Sequence, residues 1–294
     1  MNNGNGFVPR VTGLLIIEVI NSNPNGDPDR ESDPRQRPDE RGEISPVSFK
    51  RKVRDLIEDK QGPVWQRAAG KFDPRLEEGK FAILETRDRS WQQVKEEIKA
   101  GTFLPKYWDA RFFGNTFLEK DLSDQHIRTG ACQFGLGVSI APIRIERLTT
   151  TKKTGAQEGL ERGMAPLAYR IVEHGVYAMP FFISASTARK SGCTAQDVRV
   201  LQEVIPFAYS ENPSYIRSSV CLRHAWYAEH KSPLGSVSDS DLLAALTPKK
   251  KSDPETPSKS WSDYEAPSEL PEAFRTRLAN FRDLMADAYA PAGA

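Results

Sequence analysis

Three cysteines in 294 residues, at positions 132, 193 and 221, are too few, too widely spaced and too odd in number for a disulfide framework. They are expected to be reduced thiols. Net charge is nearly absent: 41 Lys and Arg against 40 Asp and Glu leave +1. That balance excludes a chain that coats nucleic acid by bulk charge, so any such role must use local concentrations of cations. No apolar run approaches the length of a membrane span, and residues 1–10 carry no apolar signal-peptide core. The expected location is cytoplasmic, with no membrane partner.

Motifs for nucleotide or covalent chemistry are also missing. Gly135-Leu-Gly137 lacks the third glycine of a dinucleotide loop, and no phosphate loop ends in Gly-Lys-Ser/Thr. Gly137-Val-Ser-Ile-Ala141 imitates a nucleophile elbow inside a continuing strand, with no acid and histidine marked beside it. Cys221 and His224 differ in parity along a strand, so they diverge rather than share a metal. Neither a cofactor nor a catalytic group is expected. Asp27, Asp29, Asp33 and Asp39 do not fit the register of a calcium loop.

What the chain does have is 21 prolines and 20 glycines, hence many loops, around a 38% hydrophobic content sufficient for a real core. Residues 11–20 form an almost continuous apolar run, which predicts a central strand buried on both faces. Residues 21–46 are polar, with Pro at 24, 28, 34, 38 and 46, and read as a long surface loop. In residues 47–60, Phe49, Val53, Leu56 and Ile57 have the spacing of one buried helix face. Lys50, Arg51 and Arg54 fall on one arc beside that stripe, and Lys52 falls on the opposite flank.

Residues 61–108 read as a finger-like insertion, residues 144–175 as a projecting hairpin, and residues 193–207 as a helix. In residues 141–170 six cations stand against three carboxylates. Residues 218–230 alternate, placing Val220, Leu222, His224, Trp226 and Ala228 on one strand face. Residues 249–269 read as a flexible loop or linker. Residues 270–290 read as a C-terminal helix, with Phe274, Leu278, Phe281 and Met285 on one face. The whole is one domain with insertions. Backbone donors after the first strand and cations on the following helix converge on an anion, and a nucleic-acid backbone is the expected one.

Several segments together resemble a known family. They are Glu18-Val-Ile-Asn-Ser-Asn-Pro-Asn-Gly-Asp-Pro-Asp29, Phe49-Lys-Arg-Lys-Val-Arg54, Asp109-Ala-Arg-Phe-Phe-Gly114, Ile127-Arg-Thr-Gly130 with Gln133, Thr149-Thr-Thr-Lys152, Arg217, and Glu229-His-Lys-Ser-Pro-Leu-Gly235. In this order they resemble the Cas7 family, the repeated backbone subunit of type I CRISPR surveillance complexes (Cascade), and most closely its subtype I-C and I-B branch. The resemblance covers roughly residues 11–245.

The resemblance implies an α+β fold: an RRM-like (ferredoxin-like) palm with a finger insertion and a projecting β-hairpin thumb. It implies a noncatalytic subunit that oligomerises head to tail along CRISPR RNA, joins other Cascade subunits and supports hybridisation of target DNA with the guide. The implied RNA-binding residues are Asn21, Asn23, Asn25, Gly26, Lys50, Arg51, Arg54, Arg111, Arg128, Gly130, Gln133, Lys152, Arg162, Met164 and Arg217. Met164 is the expected wedge between guide bases. Lys71, Lys80, Lys95 and Lys99 are the expected finger contacts to target DNA. The competing expectation is a type III-like backbone subunit whose Asp27 or Asp33 promotes metal-dependent cleavage of target RNA.

Overall fold

The computed structural model describes residues 7–86, 90–115, 128–153 and 164–289. Its centre is an eight-stranded, antiparallel sheet. The strands are β1 (Val11–Ser22), β2 (Arg41–Ile44), β3 (Cys132–Phe134), β4 (Gly137–Pro142), β5 (Ile145–Lys153), β6 (Met164–Ile183), β7 (Val220–His230) and β8 (Leu278–Asp283). They lie in the order β8-β7-β1-β6-β4-β2, with β3 and β5 also paired to the long β6. The helices that share its larger core include α1 (Pro46–Glu58), α2 (Pro63–Gly70), α3 (Trp108–Phe113) and α4 (Ala195–Val204), and the helix Asp239–Leu246 packs on the other face.

The apolar run of β1 is explained by its central position. Val11, Leu15, Ile17 and Val19 enter the larger core with α1, α2 and α4, while Leu14 and Ile16 enter a second core on the other face. A strand covered on both sides has no position left for polar residues except where a partner is supplied. Thr12, bonded to Asp239, is one such exception, and Glu18 is another. It is buried and receives Arg223 Nε at 2.6 Å, and His174 Nε2 lies 3.1 Å away.

Strand β7 corrects the expected alternation. Ile16 faces His224 and Ile17 faces Leu222, so Arg223 is an extra residue, a bulge. Val220, Leu222, Ala225 and Tyr227 therefore join the larger core, and Trp226 and Ala228 join the other. One inserted residue flips every later side chain. It also turns Arg223 onto Glu18.

The C-terminal segment is a second correction. Instead of a helix over 270–290, strand β8 pairs with β7 between single helical turns at Glu272–Arg275 and Leu284–Ala288. Leu278 and Phe281 share a face because the register shifts beside Glu229 and His230. That shift produces a spacing of three, which imitates a helix.

The expected linker at 249–269 is packed structure. Lys249–Lys250 pair with Tyr264–Glu265, and Tyr264 and Ser258 are buried. Tyr264 donates to Ser258 Oγ at 2.9 Å, which lies 2.7 Å from His174 Nδ1. Residues 61–108 are not one separate unit either. Trp65, Ala68, Phe72 and Phe81 belong to the main core, whereas Leu84, Val94, Phe103 and Tyr107 form a small core of their own. Strands β5 and β6 pair antiparallel, in register from Val172 opposite Ile145 to Met164 opposite Lys153.

Candidate nucleic-acid interface

The polar segment after β1 is held by its own amides rather than left as an open loop. Gly26–Asp27 pair with Asp33–Pro34, and a short turn at Pro28–Arg30 connects them. Asn23 Nδ2 donates to Ser32 O at 2.8 Å and to Arg170 O at 3.3 Å. Asn25 Oδ1 accepts from Ser45 N–H at 2.7 Å, fixing the residue whose hydroxyl caps α1. Asn21 is exposed, with φ 44°, a left-handed conformation that asparagine tolerates. Asn25 is thus committed to the loop. Asn23 leaves its Oδ1 buried without a hydrogen-bond partner.

Helix α1 presents its cations on two flanks. On one, Lys50 Nζ stands 5.1 Å from the Phe113 ring centroid and the Arg54 guanidinium 5.2 Å from it. Arg54 is buried, and its Nε donates to Asp109 at 2.8 Å. Arg51 pairs with Asp55 at 2.6 Å and Glu58 at 3.3 Å. The arc of Lys50, Arg51 and Arg54 is therefore two-thirds neutralised by acids. Lys50 has no carboxylate within ion-pair distance among the described residues, and burial lowers its pKa.

The other flank holds what sequence reasoning set aside. Lys52 Nζ lies 5.1 Å from the Tyr209 ring centroid. Burial lowers its pKa to about 8, nearby Arg217 adds repulsion, and Asp55 opposes both. Arg217 Nε donates to Asn23 O at 3.2 Å. Lys52, Arg217 and Asn23 therefore meet beside the end of β1, across almost 200 positions of chain. No spacing in the sequence could announce that meeting, because Tyr209 and Arg217 reach Lys52 only through tertiary packing.

Gly130 lies on the Lys50 side, packed against the backbone of Phe113, whose ring Lys50 covers, and Gln133 follows three residues on. Gln133 is exposed and donates to Gly130 O at 3.1 Å. Gly130 is required by packing, since a Cβ there would overlap the Gly114 nitrogen and the Phe113 carbonyl carbon. Gly130→Ala is expected to cost about 1–3 kcal/mol by overpacking against backbone that has no rotamer to change. Urea unfolding measures this, and an unchanged midpoint would show that the backbone yields.

Arg111 is corrected outright. All five of its guanidinium hydrogens are used: Asp197 receives Nε at 2.9 Å and Nη2 at 2.7 Å, and the carbonyls of Lys80, Leu104 and Pro105 take the rest. It is a core residue with nothing left to offer a phosphate. Arg128 stands opposite Asn115 in a two-residue ladder, and Lys152 and Met164 lie at the end of the β5–β6 ladder where the chain connects the two strands, away from the Ile145–Val172 pair. Arg162 lies outside the described residues. Gly26 sits against Ser32, closing the Asn-rich turn. Lys71 pairs with Glu203 and Lys80 with Glu77.

Among the acids of the loop, Asp33 accepts from Arg170, and Asp27 Oδ1 accepts from Asp29 N–H at 3.2 Å. Among the described residues, no helix is long and apolar enough to cross a membrane.

No curated protein matches the sequence. A chain of a solved "CRISPR RNA-guided surveillance complex, pre-nicking" superposes with a TM-score of 0.51 at 15% identity, covering 80% of this chain and 81% of that one. A chain of another "CRISPR RNA-guided surveillance complex" gives 0.47 at 15% identity, covering 83% and 77%. A chain of a type III-B Cmr-beta complex bound to cognate target RNA gives 0.40 at 12% identity, covering 75% and 61%. The first of these shows the shared mixed α/β fold with its antiparallel sheet. The sequence itself matches the CRISPR-associated protein Cas7 family over residues 9–269, nearly the whole length, so the chain belongs to that family.

Proposed function

We propose that the protein is a noncatalytic, CRISPR RNA-binding backbone subunit of a type I Cascade complex. Copies pack head to tail along the guide and help it hybridise with target DNA. The observation that carries this reading is the pair of cationic arms on α1. Lys50 lies over the Phe113 ring and Lys52 beside Arg217 and Asn23; neither lysine has a carboxylate within ion-pair distance among the described residues, whereas Arg51 and Arg54 are paired with acids. Cations and amides of this kind grip phosphate and ribose without reading base edges, as a subunit that must accept every guide sequence requires.

In this reading the sheet and its helices are the RRM-like palm, and the β5–β6 hairpin is the thumb that carries Met164 between guide bases. The small core around Leu84 and Tyr107 serves the fingers. Asp33 is occupied by Arg170, which favours a structural role for the loop acids over metal-dependent cleavage.

The test is to express the protein with a guide RNA, purify the assembly, and incubate it with magnesium and either complementary RNA or complementary DNA. Copurifying RNA, a multi-copy assembly and DNA capture without cleavage of complementary RNA are expected. Cleavage of RNA that disappears in Asp27→Ala would replace this reading with the type III-like one. Purification free of nucleic acid would remove the RNA-binding role.

A further inference from the structure

Resting on the RNA-binding reading, we propose that Tyr215, Tyr169 and Asn23 form a ribonucleotide subsite. One guide base stacks on Tyr215, and that nucleotide's 2′-hydroxyl donates into the cavity beside Asn23. Tyr215 is 75% exposed, unusual for so large an aromatic residue, and it is not loose. Its ring rests on Tyr169 with centroids 5.1 Å apart and planes at 53°, so β6 braces the platform from behind. The residue lies in the Tyr215–Arg217 turn, two positions from the arginine that holds Asn23 O.

Next to this pair is a cavity of about 100 Å³ lined in part by Asn23, Asp33, Arg147, Tyr169 and Arg170. At about 30 Å³ per water this is room for a few waters, or for the hydroxyl edge of one sugar. Its chemistry selects the ligand. Both partners of Asn23 Nδ2 are carbonyl oxygens, which fixes that end as the amine and leaves Oδ1 as a buried acceptor without a donor. Glu31 also lines the cavity, and Asp33 shares Arg170 with it. Two guanidiniums, Arg147 and Arg170, balance those two carboxylates in the lining, so the acceptor left over is Asn23 Oδ1, and a hydroxyl donor fits it. The ribose 2′-hydroxyl is that donor, and it is the group that distinguishes RNA from DNA. Phosphates are left to Arg147, exposed at the cavity's edge, and to Arg217, which does not line it.

The experiment measures binding of purified protein to a synthetic mixed-sequence single-stranded RNA, to the same sequence fully 2′-O-methylated, and to its DNA counterpart. Wild type, Tyr215→Ala and Tyr215→Phe are compared, with circular dichroism as the folding control. Tyr215→Ala is expected to weaken RNA binding by about 5-fold to 100-fold, the range for loss of one base–aromatic stack, and Tyr215→Phe to restore it. Wild type is expected to bind the 2′-O-methylated strand and the DNA about threefold to tenfold more weakly than RNA, as one missing hydrogen bond predicts. Binding of Tyr215→Ala within twofold of wild type, or equal binding of all three strands by wild type, overturns the subsite and leaves the RNA-binding reading intact. Absence of RNA binding by wild type overturns both.

Discussion

Asp197→Ala is expected to lower the unfolding free energy by about 3–5 kcal/mol, the usual consequence of stranding one half of a buried ion pair. Asp197 is fully buried and takes two hydrogen bonds from Arg111. It also accepts from Thr194 N–H at 2.8 Å, completing the capping box of α4. Removal leaves a guanidinium in the core with only carbonyl dipoles around it, and a helix that keeps the Thr194 cap but loses the reciprocal half of its capping box. Urea unfolding followed by circular dichroism measures the loss, and a cost below about 1 kcal/mol would show that the pair does not hold the core. The double variant Arg111→Met/Asp197→Leu should recover much of the stability, because apolar residues of similar volume replace buried pairs well. Its RNA binding should keep the wild-type salt dependence. A guanidinium with five internal partners makes no bond to phosphate, and a changed slope would return Arg111 to the interface.

How much of this was legible depends on where each signal came from. Strand β1 and helix α1 were readable because each is specified locally, by a continuous apolar run and by Phe49, Val53, Leu56 and Ile57 on one face. The two strands at the sheet edge were misread for one reason. Bulges at Arg223 and beside His230 shift side-chain parity, and nothing in the residue types marks an inserted position. The segment 249–269 has the composition of a linker, yet Ser258 and Tyr264 tie it to His174 in the sheet. Composition counts polar residues but does not show that they have found partners.

The site divides along the same line. Asn23, Lys50 and Arg217 stand where cations and amides meet, while Arg54 and Arg111 were read as free cations although their carboxylates, Asp109 and Asp197, are far off in sequence. A charge is available for binding only if no acid arrives from elsewhere in the fold. Sequence alone does not show such arrivals.

That distinction decides which cations to remove. Replacing Lys50, Arg51 and Arg54 together would strip Asp109 of its partner, so a loss of binding could reflect unfolding. The informative variant is Lys50→Met/Lys52→Met/Arg217→Gln, which keeps most of the aliphatic stems that pack on Phe113 and Tyr209. With three cations withdrawn from the phosphates, the slope of log affinity against log salt for single-stranded RNA should fall by about 2, and affinity at 0.1 M salt by about 100-fold. Fluorescence titration across a salt series checks this, and a slope equal to wild type would place the phosphates elsewhere.

Lys52 adds a dependence on pH with opposite signs for binding and stability. Its folded pKa of about 8 lies below the unconstrained 10.5, so between these values the unfolded chain holds a proton that the folded chain has released. Stability from this residue therefore rises with pH through that window, while the cost of burying its charge is fully present below pH 8. RNA binding runs the other way. The ammonium that faces the phosphate disappears as pH climbs through 8, where exposed lysines are still charged. Affinity should therefore fall more steeply between pH 7 and 9 in wild type than in Lys52→Arg, whose guanidinium does not titrate there, while Lys50, also lowered by burial, contributes to both profiles. Identical pH profiles for the two proteins would mean that Lys52 does not reach the RNA.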